Sequence, residues 1–234
     1  MKKATVLLAI IILIWSTNEA SGKTRRKSYS KRARIGSVEV GGRTIVGISN
    51  VYGKYYELPG KFKPSVNLEI VGSWLFNKDI TLLTGLGYGY YGSDMTNSSP
   101  SSDRITLEKH TYKLHYLTIP VQAEFSISNF FIGFGPQVNI LLKANDYIQR
   151  KTDNNPKLSY FTLENISTVN NIDVGGRVSV GYKFNSNLKL ELTYFNSFTD
   201  LTFHPSKNDE RVISKNYNTN AFIGLGVSYL ISVK

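Results

Sequence analysis

From residue 35 onward apolar residues recur at every second position, and that period restricts the chain to strands. Leu188, Leu190, Leu192 and Tyr194 are interleaved with Lys189, Glu191 and Thr193, so an extended backbone puts one apolar and one polar face on opposite sides. The same alternation sets Val66, Leu68, Ile70 and Trp74 against Ser65, Asn67, Glu69 and Ser73. It sets Ile80, Leu82, Leu86 and Tyr88 against Thr81, Gly85, Gly87 and Gly89. Leu117, Ile119, Val121 and Phe125 form a further apolar face, as do Ile132, Phe134, Val138 and Ile140. Val174, Val178, Val180 and Tyr182 make another, and Ala221, Ile223, Leu225 and Val227 another. A weaker first strand lies near residues 36–48, with Val38, Val40, Val46 and Ile48 opposite Glu39, Gly41 and Arg43.

Eight strands result, and their connections alternate in length. Asn77-Lys78, Ser128-Asn129 and Asn185-Ser186-Asn187 read as tight hairpin turns. Long polar segments lie between them, at about 49–61, 92–110, 143–171 and 199–214. An even strand number, with short turns at one end and long loops at the other, predicts an all-β fold: an eight-stranded antiparallel transmembrane β-barrel. Both termini then fall on the short-turn, periplasmic side. A helical membrane protein is excluded, because no run approaches the roughly 20 apolar residues that a span requires.

The alternative is a soluble β-sandwich or lipocalin, which alternates equally well. Aromatic placement separates the two. Trp74, Phe76, Phe125, Phe130, Phe184 and Tyr229 gather near the short-turn ends of their strands. Tyr88, Tyr90, Tyr112, Tyr116, Tyr194, Phe198 and Tyr217 gather near the opposite ends. Two aromatic belts around an aliphatic band are what a bilayer selects, and a sandwich has no reason to segregate them.

The N-terminal residues point to export. Lys2 and Lys3 precede an apolar run from Ala4 to Trp15, and Ala20-Ser21-Gly22 supplies small residues before a cut. That is the layout of a signal peptide over 1–22, with a cut after Ala20 as the second possibility. Residues 23–34 (KTRRKSYSKRAR) form a block of like charge that repels itself, and are expected to be a disordered periplasmic tail. Residues 35–234 then form the barrel. The chain has no cysteine, which excludes disulfides, thiolate metal sites and a cysteine nucleophile. The formal net charge is +11, but export argues against a nucleic-acid partner.

Tyr116-Leu117-Thr118-Ile119-Pro120 and Gly133-Phe134-Gly135-Pro136 resemble signature stretches of the PorT-like outer-membrane β-barrels of Bacteroidetes-type bacteria. Thr84-Gly85-Leu86-Gly87-Tyr88 and Gly224-Leu225-Gly226-Val227-Ser228-Tyr229 are similar too. The resemblance covers residues 35–232 and implies an eight-stranded barrel in the cell outer membrane. It also implies as partners the surrounding lipid and lipopolysaccharide, and the barrel insertion machinery. Many barrels carry a terminal aromatic read by that machinery; this chain ends Ile231-Ser232-Val233-Lys234.

Eight strands enclose a space just wide enough for side chains to fill, which excludes a wide porin channel. If the tight turns set the registers, Glu69 faces Gly87, Glu124 faces Gly133, Gln122 faces Gly135 and Glu191 faces Gly181. Each of these hairpins then sets an inward carboxylate against a missing side chain. The inward charged set is Glu39, Arg43, Glu69, Glu124, Asp173, Arg177, Lys183, Lys189 and Glu191. Unpaired buried charge costs several kcal/mol, so these groups are expected to form a nearly balanced ion-pair network that fills the lumen. An ion or proton path is the other reading. Pro120 faces Gln137 and lies beside Pro136; neither can donate to a ladder, so a bulge or a local break in pairing is expected.

Signals for catalysis are sparse. The histidines are His110, His115 and His204, without metal-ligand spacing, and no cofactor is expected. His204-Pro205-Ser206 resembles the His-x-Ser pair of outer-membrane lipid A deacylases, with Glu210 as an orienting acid. The expectation from sequence is a monomeric, non-enzymatic barrel with a structural role or a recognition role through its loops. An accessory role in a secretion apparatus and a deacylase are the alternatives.

Overall fold

The computed structural model describes residues 35–53, 61–101, 104–152, 155–164, 169–185, 187–201 and 218–233. The expected signal peptide and basic tail lie outside the described residues. So do His204, Ser206, Glu210 and Tyr217.

Nine strands form among the described residues: β1 (Val38–Gly53), β2 (Lys61–Leu75), β3 (Ile80–Ser101), β4 (Arg104–Ile127), β5 (Phe130–Thr152), β6 (Asn155–Glu164), β7 (Ile172–Lys183), β8 (Leu188–Ser197) and β9 (Asn218–Val233). All pairings are antiparallel, and β1 pairs with both β2 and β9, which closes an eight-membered ring. The ninth strand, β6, is a departure from expectation: it pairs only with the distal half of β5, outside the ring. The long polar segments also differ from loops. Residues 92–101 and 104–110 continue β3 and β4 as paired strands, with Met95 opposite His110 and Ser101 opposite Arg104. Beyond the ring these strands lack one consistently apolar face, so hydrophobic alternation does not reveal them.

The expected registers hold. Glu69 pairs with Gly87, Glu124 with Gly133 and Glu191 with Gly181. Asn77 and Asn185 each organise a turn at the closed end. Asn77 Oδ1 accepts from the backbone N–H of Asp79 (2.9 Å) and Ile80 (2.8 Å). Asn185 Oδ1 accepts from those of Asn187 and Leu188, both at 2.8 Å. Both turns are longer than two residues, because the Asx side chain substitutes for a ladder bond. Ser128, in the tight turn, takes the left-handed φ of 58°.

Around Pro120 the ladders are interrupted without a register shift. β3–β4 pairing resumes only from Thr84/Val121 to Gly87/Thr118, and β4–β5 pairing from Ala123/Phe134 to Pro120/Gln137. The Thr84 hydroxyl donates to the Pro120 carbonyl at 3.1 Å. The expected bulge is instead at His115/Tyr116, opposite Leu142. Two prolines remove ladder donors without adding a residue to either strand, so pairing lapses and register survives.

The outer face is apolar: Leu68, Ile70, Leu86, Ile132, Leu192 and Leu225 are among its exposed residues. The aromatic belts need one correction. Tyr116 is fully buried inside the ring, and Tyr112 packs against the same interior cluster. Trp74, Phe130, Tyr229, Tyr88, Tyr194 and Phe198 are exposed on the outside as expected.

Glycines mark where the wall is tightest. A Cβ on Gly135 would lie 2.0 Å from the Val121 carbonyl, and one on Gly87 2.5 Å from Glu69 Cγ. At outward Gly42 a Cβ meets nothing within 4 Å. Gly135→Ala should therefore destabilise the barrel by about 1–3 kcal/mol through overpacking, and Gly42→Ala should be neutral. Reversible urea unfolding from lipid vesicles measures the difference; the reverse ranking would exchange the two faces.

Candidate functional site

The inward residues stack into layers along the ring. Toward the turn end, Val71, Leu83 and Leu230 form a fully buried apolar layer. Beyond it lies the charged centre. Glu69 bridges two arginines: Arg43 Nε donates to its Oε2 at 2.6 Å, and Arg177 Nη1 to its Oε1 at 2.7 Å. Glu191 Oε1 lies 3.4 Å from Arg43 Nη1 and 3.9 Å from Arg177 Nη2. Lys189 Nζ donates to Glu124 Oε2 at 2.8 Å. Three cations and three carboxylates thus meet in one buried layer, and their interiors are shielded from water almost completely.

The other three charged residues bond to neutral groups, although Lys183 is the cross-strand partner of Lys189. Lys183 Nζ donates to Ser126 Oγ at 2.7 Å, and Glu39 Oε2 accepts from Ser73 Oγ at 3.1 Å. Asp173 is buried among neutral donors, accepting from Ser197 Oγ, from Thr199 Oγ1 at 3.0 Å and from Asn139 Nδ2 at 3.2 Å.

Several residues that sequence reasoning did not assign complete the centre. Gln122 Oε1 accepts from Arg43 Nη1 at 3.2 Å, and Gln137 Oε1 accepts from Arg177 Nη1 at 3.2 Å. Gln137 and Asn67 both donate to the Tyr91 hydroxyl, at 3.3 and 3.1 Å. Tyr91 in turn begins a second apolar layer with Ile45, Leu114, Tyr116, Phe195 and Phe222. Its ring stacks 6.4 Å from Phe195 and lies 5.5 Å from Phe222. The lumen is therefore not uniformly polar. The signal in the sequence was the adjacent pairs Tyr90-Tyr91 and Tyr194-Phe195, where one aromatic of each pair must point inward.

Farther out, past the aliphatic band, Asp94 holds Lys63 (2.9 Å) and Lys109 (3.2 Å) and accepts from Thr111 at 2.7 Å. Burial pushes the Asp94 carboxyl up. The hydrogen bonds from Lys63, Thr111 and Lys109 outweigh it and leave the group below the ordinary carboxylate range, charged at neutral pH. His110 Nδ1 lies 2.6 Å from Asp146 Oδ2. Among the described residues no group of three or more His, Cys, Asp and Glu side chains is arranged to hold a metal ion.

Residues 26–203 match the family described as outer membrane protein beta-barrel domain. The chain belongs to that family. It is a small eight-stranded barrel of the cell outer membrane. No curated protein matches the chain. Among solved structures, similarity extends to Ail, the attachment invasion locus protein of Yersinia pestis, at 12% identity. That match covers 85% of this chain and 100% of Ail, with a TM-score of 0.42. Neisserial surface protein A is 12% identical over 82% of this chain and 96% of its own, with a TM-score of 0.33. The Escherichia coli outer membrane protease OmpT is 10% identical over 84% and 94%, with a TM-score of 0.35.

In this outer-membrane barrel, Glu69 is the group whose loss leaves most charge uncompensated. Glu69→Gln strands Arg43 and Arg177 with Glu191 alone, and should cost about 3–5 kcal/mol, the usual penalty for breaking a buried pair. Glu39→Gln, which disturbs one hydroxyl bond, should cost under about 1 kcal/mol. Unfolding midpoints of the two variants in lipid vesicles provide the comparison.

Proposed function

We propose that this barrel is a non-enzymatic, monomeric outer-membrane protein that acts by recognition at the cell surface and conducts no solute. The observation that carries this reading is the lumen: an ion-paired layer lies between two buried apolar layers. A path for water through an eight-stranded ring would need that space empty. The nine inward charged residues then serve as packing.

Recognition is supported by the part of the wall that outruns the membrane. β3 and β4 stay paired to Ser101 and Arg104, and β5 and β6 form a second extension. Among the described residues β6 pairs with β5 only, so its outer edge offers backbone N–H and C=O groups to an extended partner. The partners expected during biogenesis are the insertion machinery and the surrounding lipid and lipopolysaccharide. A second reading, an accessory barrel of a secretion apparatus, is favoured by the PorT-like stretches Tyr116–Pro120 and Gly133–Pro136.

Planar bilayers containing the purified protein should show no stable porin-sized openings; reproducible ones would overturn the closed lumen. Replacing residues 96–109 by a two-residue turn joins Met95 to its cross-strand partner His110 and leaves the ring intact. The shortened protein should lose partners crosslinked to the full chain at the surface of intact cells, whereas an unchanged set removes the hairpin from recognition. Ser206→Ala should leave the cell's lipid A profile as the wild type has it; a change would restore the deacylase.

A further inference from the structure

The outward wall of β3, β4 and β5 carries a cationic cluster immediately beyond the aliphatic band. His115 and Lys143 are direct cross-strand partners, and Lys113 is the next outward position on β4. Leu117, two residues below His115, faces outward on the same strand and lines the apolar wall. The cluster is positioned by its neighbours. Lys113 Nζ sits 4.3 Å above the Tyr147 ring. His115 Nδ1 lies 2.5 Å from the Tyr88 hydroxyl, and the Tyr90 ring is 5.2 Å from the imidazole. Among the described side chains no carboxylate pairs with Lys113 or Lys143, whereas Asp94 already neutralises Lys63 and Lys109.

An apolar groove begins where this cluster ends. It is lined on the outer wall by Gly42, Thr44, Leu68, Ile70, Tyr88 and Leu117. Outward Gly42 opens it, since the position carries no side chain and faces open space. Tyr88 belongs to both features, with its ring on the groove and its hydroxyl on His115. Ammonium groups at headgroup depth, above a groove at acyl-chain depth, match an amphiphile with an anionic head. The extracellular leaflet of an outer membrane offers one in abundance.

We propose that Lys113, Lys143 and His115 bind a phosphate of a phosphorylated, multiply acylated glycolipid, the lipid A part of lipopolysaccharide, with one acyl chain lying in the groove past Gly42. Each ammonium supplies a charge-assisted bond to phosphate. The pairing of His115 with Lys143 places these donors on rigid wall, not on a loop, so little ordering is needed on binding.

The test uses the full chain in phosphatidylcholine nanodiscs, titrated with bis-phosphorylated lipid A, with bound lipid read by native mass spectrometry. Lys113→Ala/Lys143→Ala should bind it roughly thirtyfold more weakly, as removal of two lysines near an anionic headgroup implies. Wild type should bind dephosphorylated lipid A as weakly as the double variant does. Gly42→Leu fills the groove and should weaken lipid A binding with the cluster intact. Heat-modifiable gel migration verifies that each variant is folded. Equal binding by wild type and the double variant would overturn the site. Equal binding of phosphatidylglycerol and lipid A by wild type would overturn the glycolipid as its occupant.

Discussion

One glutamate shared by two arginines anchors the interior. Glu69 reaches Arg43 from the neighbouring strand and Arg177 from across the ring, so two consecutive strands and one distant in sequence converge on one carboxylate. A ring of eight strands leaves no room for bulk water around such groups, and a buried charge without a partner costs several kcal/mol. Charge balance in that layer is thus a condition for closing the barrel. Glu191, Glu124 and Lys189 complete the balance, and Gln122 and Gln137 take up guanidinium hydrogens that the carboxylates leave.

The glycines follow from the same constraint. Long inward side chains need empty positions opposite, and Gly87, Gly133 and Gly181 face Glu69, Glu124 and Glu191. At Gly133 the first atom that a Cβ would meet is Ser179 Oγ at 2.7 Å, ahead of Glu124 Cγ at 3.3 Å. The interdigitation therefore runs around the ring and not merely within one hairpin. The apolar layers at Val71 and at Tyr91 exclude water from both ends of the charged centre, which strengthens its ion pairs by lowering the local dielectric.

The outer surface answers to a different solvent. Aliphatic residues face lipid and aromatic residues rim them. Beyond the rim Asp94 collects Lys63 and Lys109, while among the described side chains no carboxylate pairs with Lys113 or Lys143. A wall that continues as paired strands holds such groups at fixed height above the membrane, as a free loop would not.

Strand alternation, the inward set from Glu39 to Glu191 and the hairpin registers could all be read from the sequence. The reason is that side chains of a strand alternate strictly and tight turns hold register. The sequence also located the disturbed pairing at Pro120, because proline lacks the donor. Other features depended on the closed ring. Arg43 and Arg177 lie 134 positions apart in the numbering, and no local pattern indicates that they share Glu69. Tyr116 reads as a belt residue from its place near a strand end, yet it shares the parity of inward Thr118, Gln122 and Glu124 and lies fully buried, so alternation and not position along the strand decided its side. The strand β6 was invisible because its sequence, NPKLSYFTLE, carries no regular alternation of apolar and polar residues. Local periodicity determined which way each side chain points; only closure of the ring decided which of them meet, since that depends on distances between strands that sequence order does not encode.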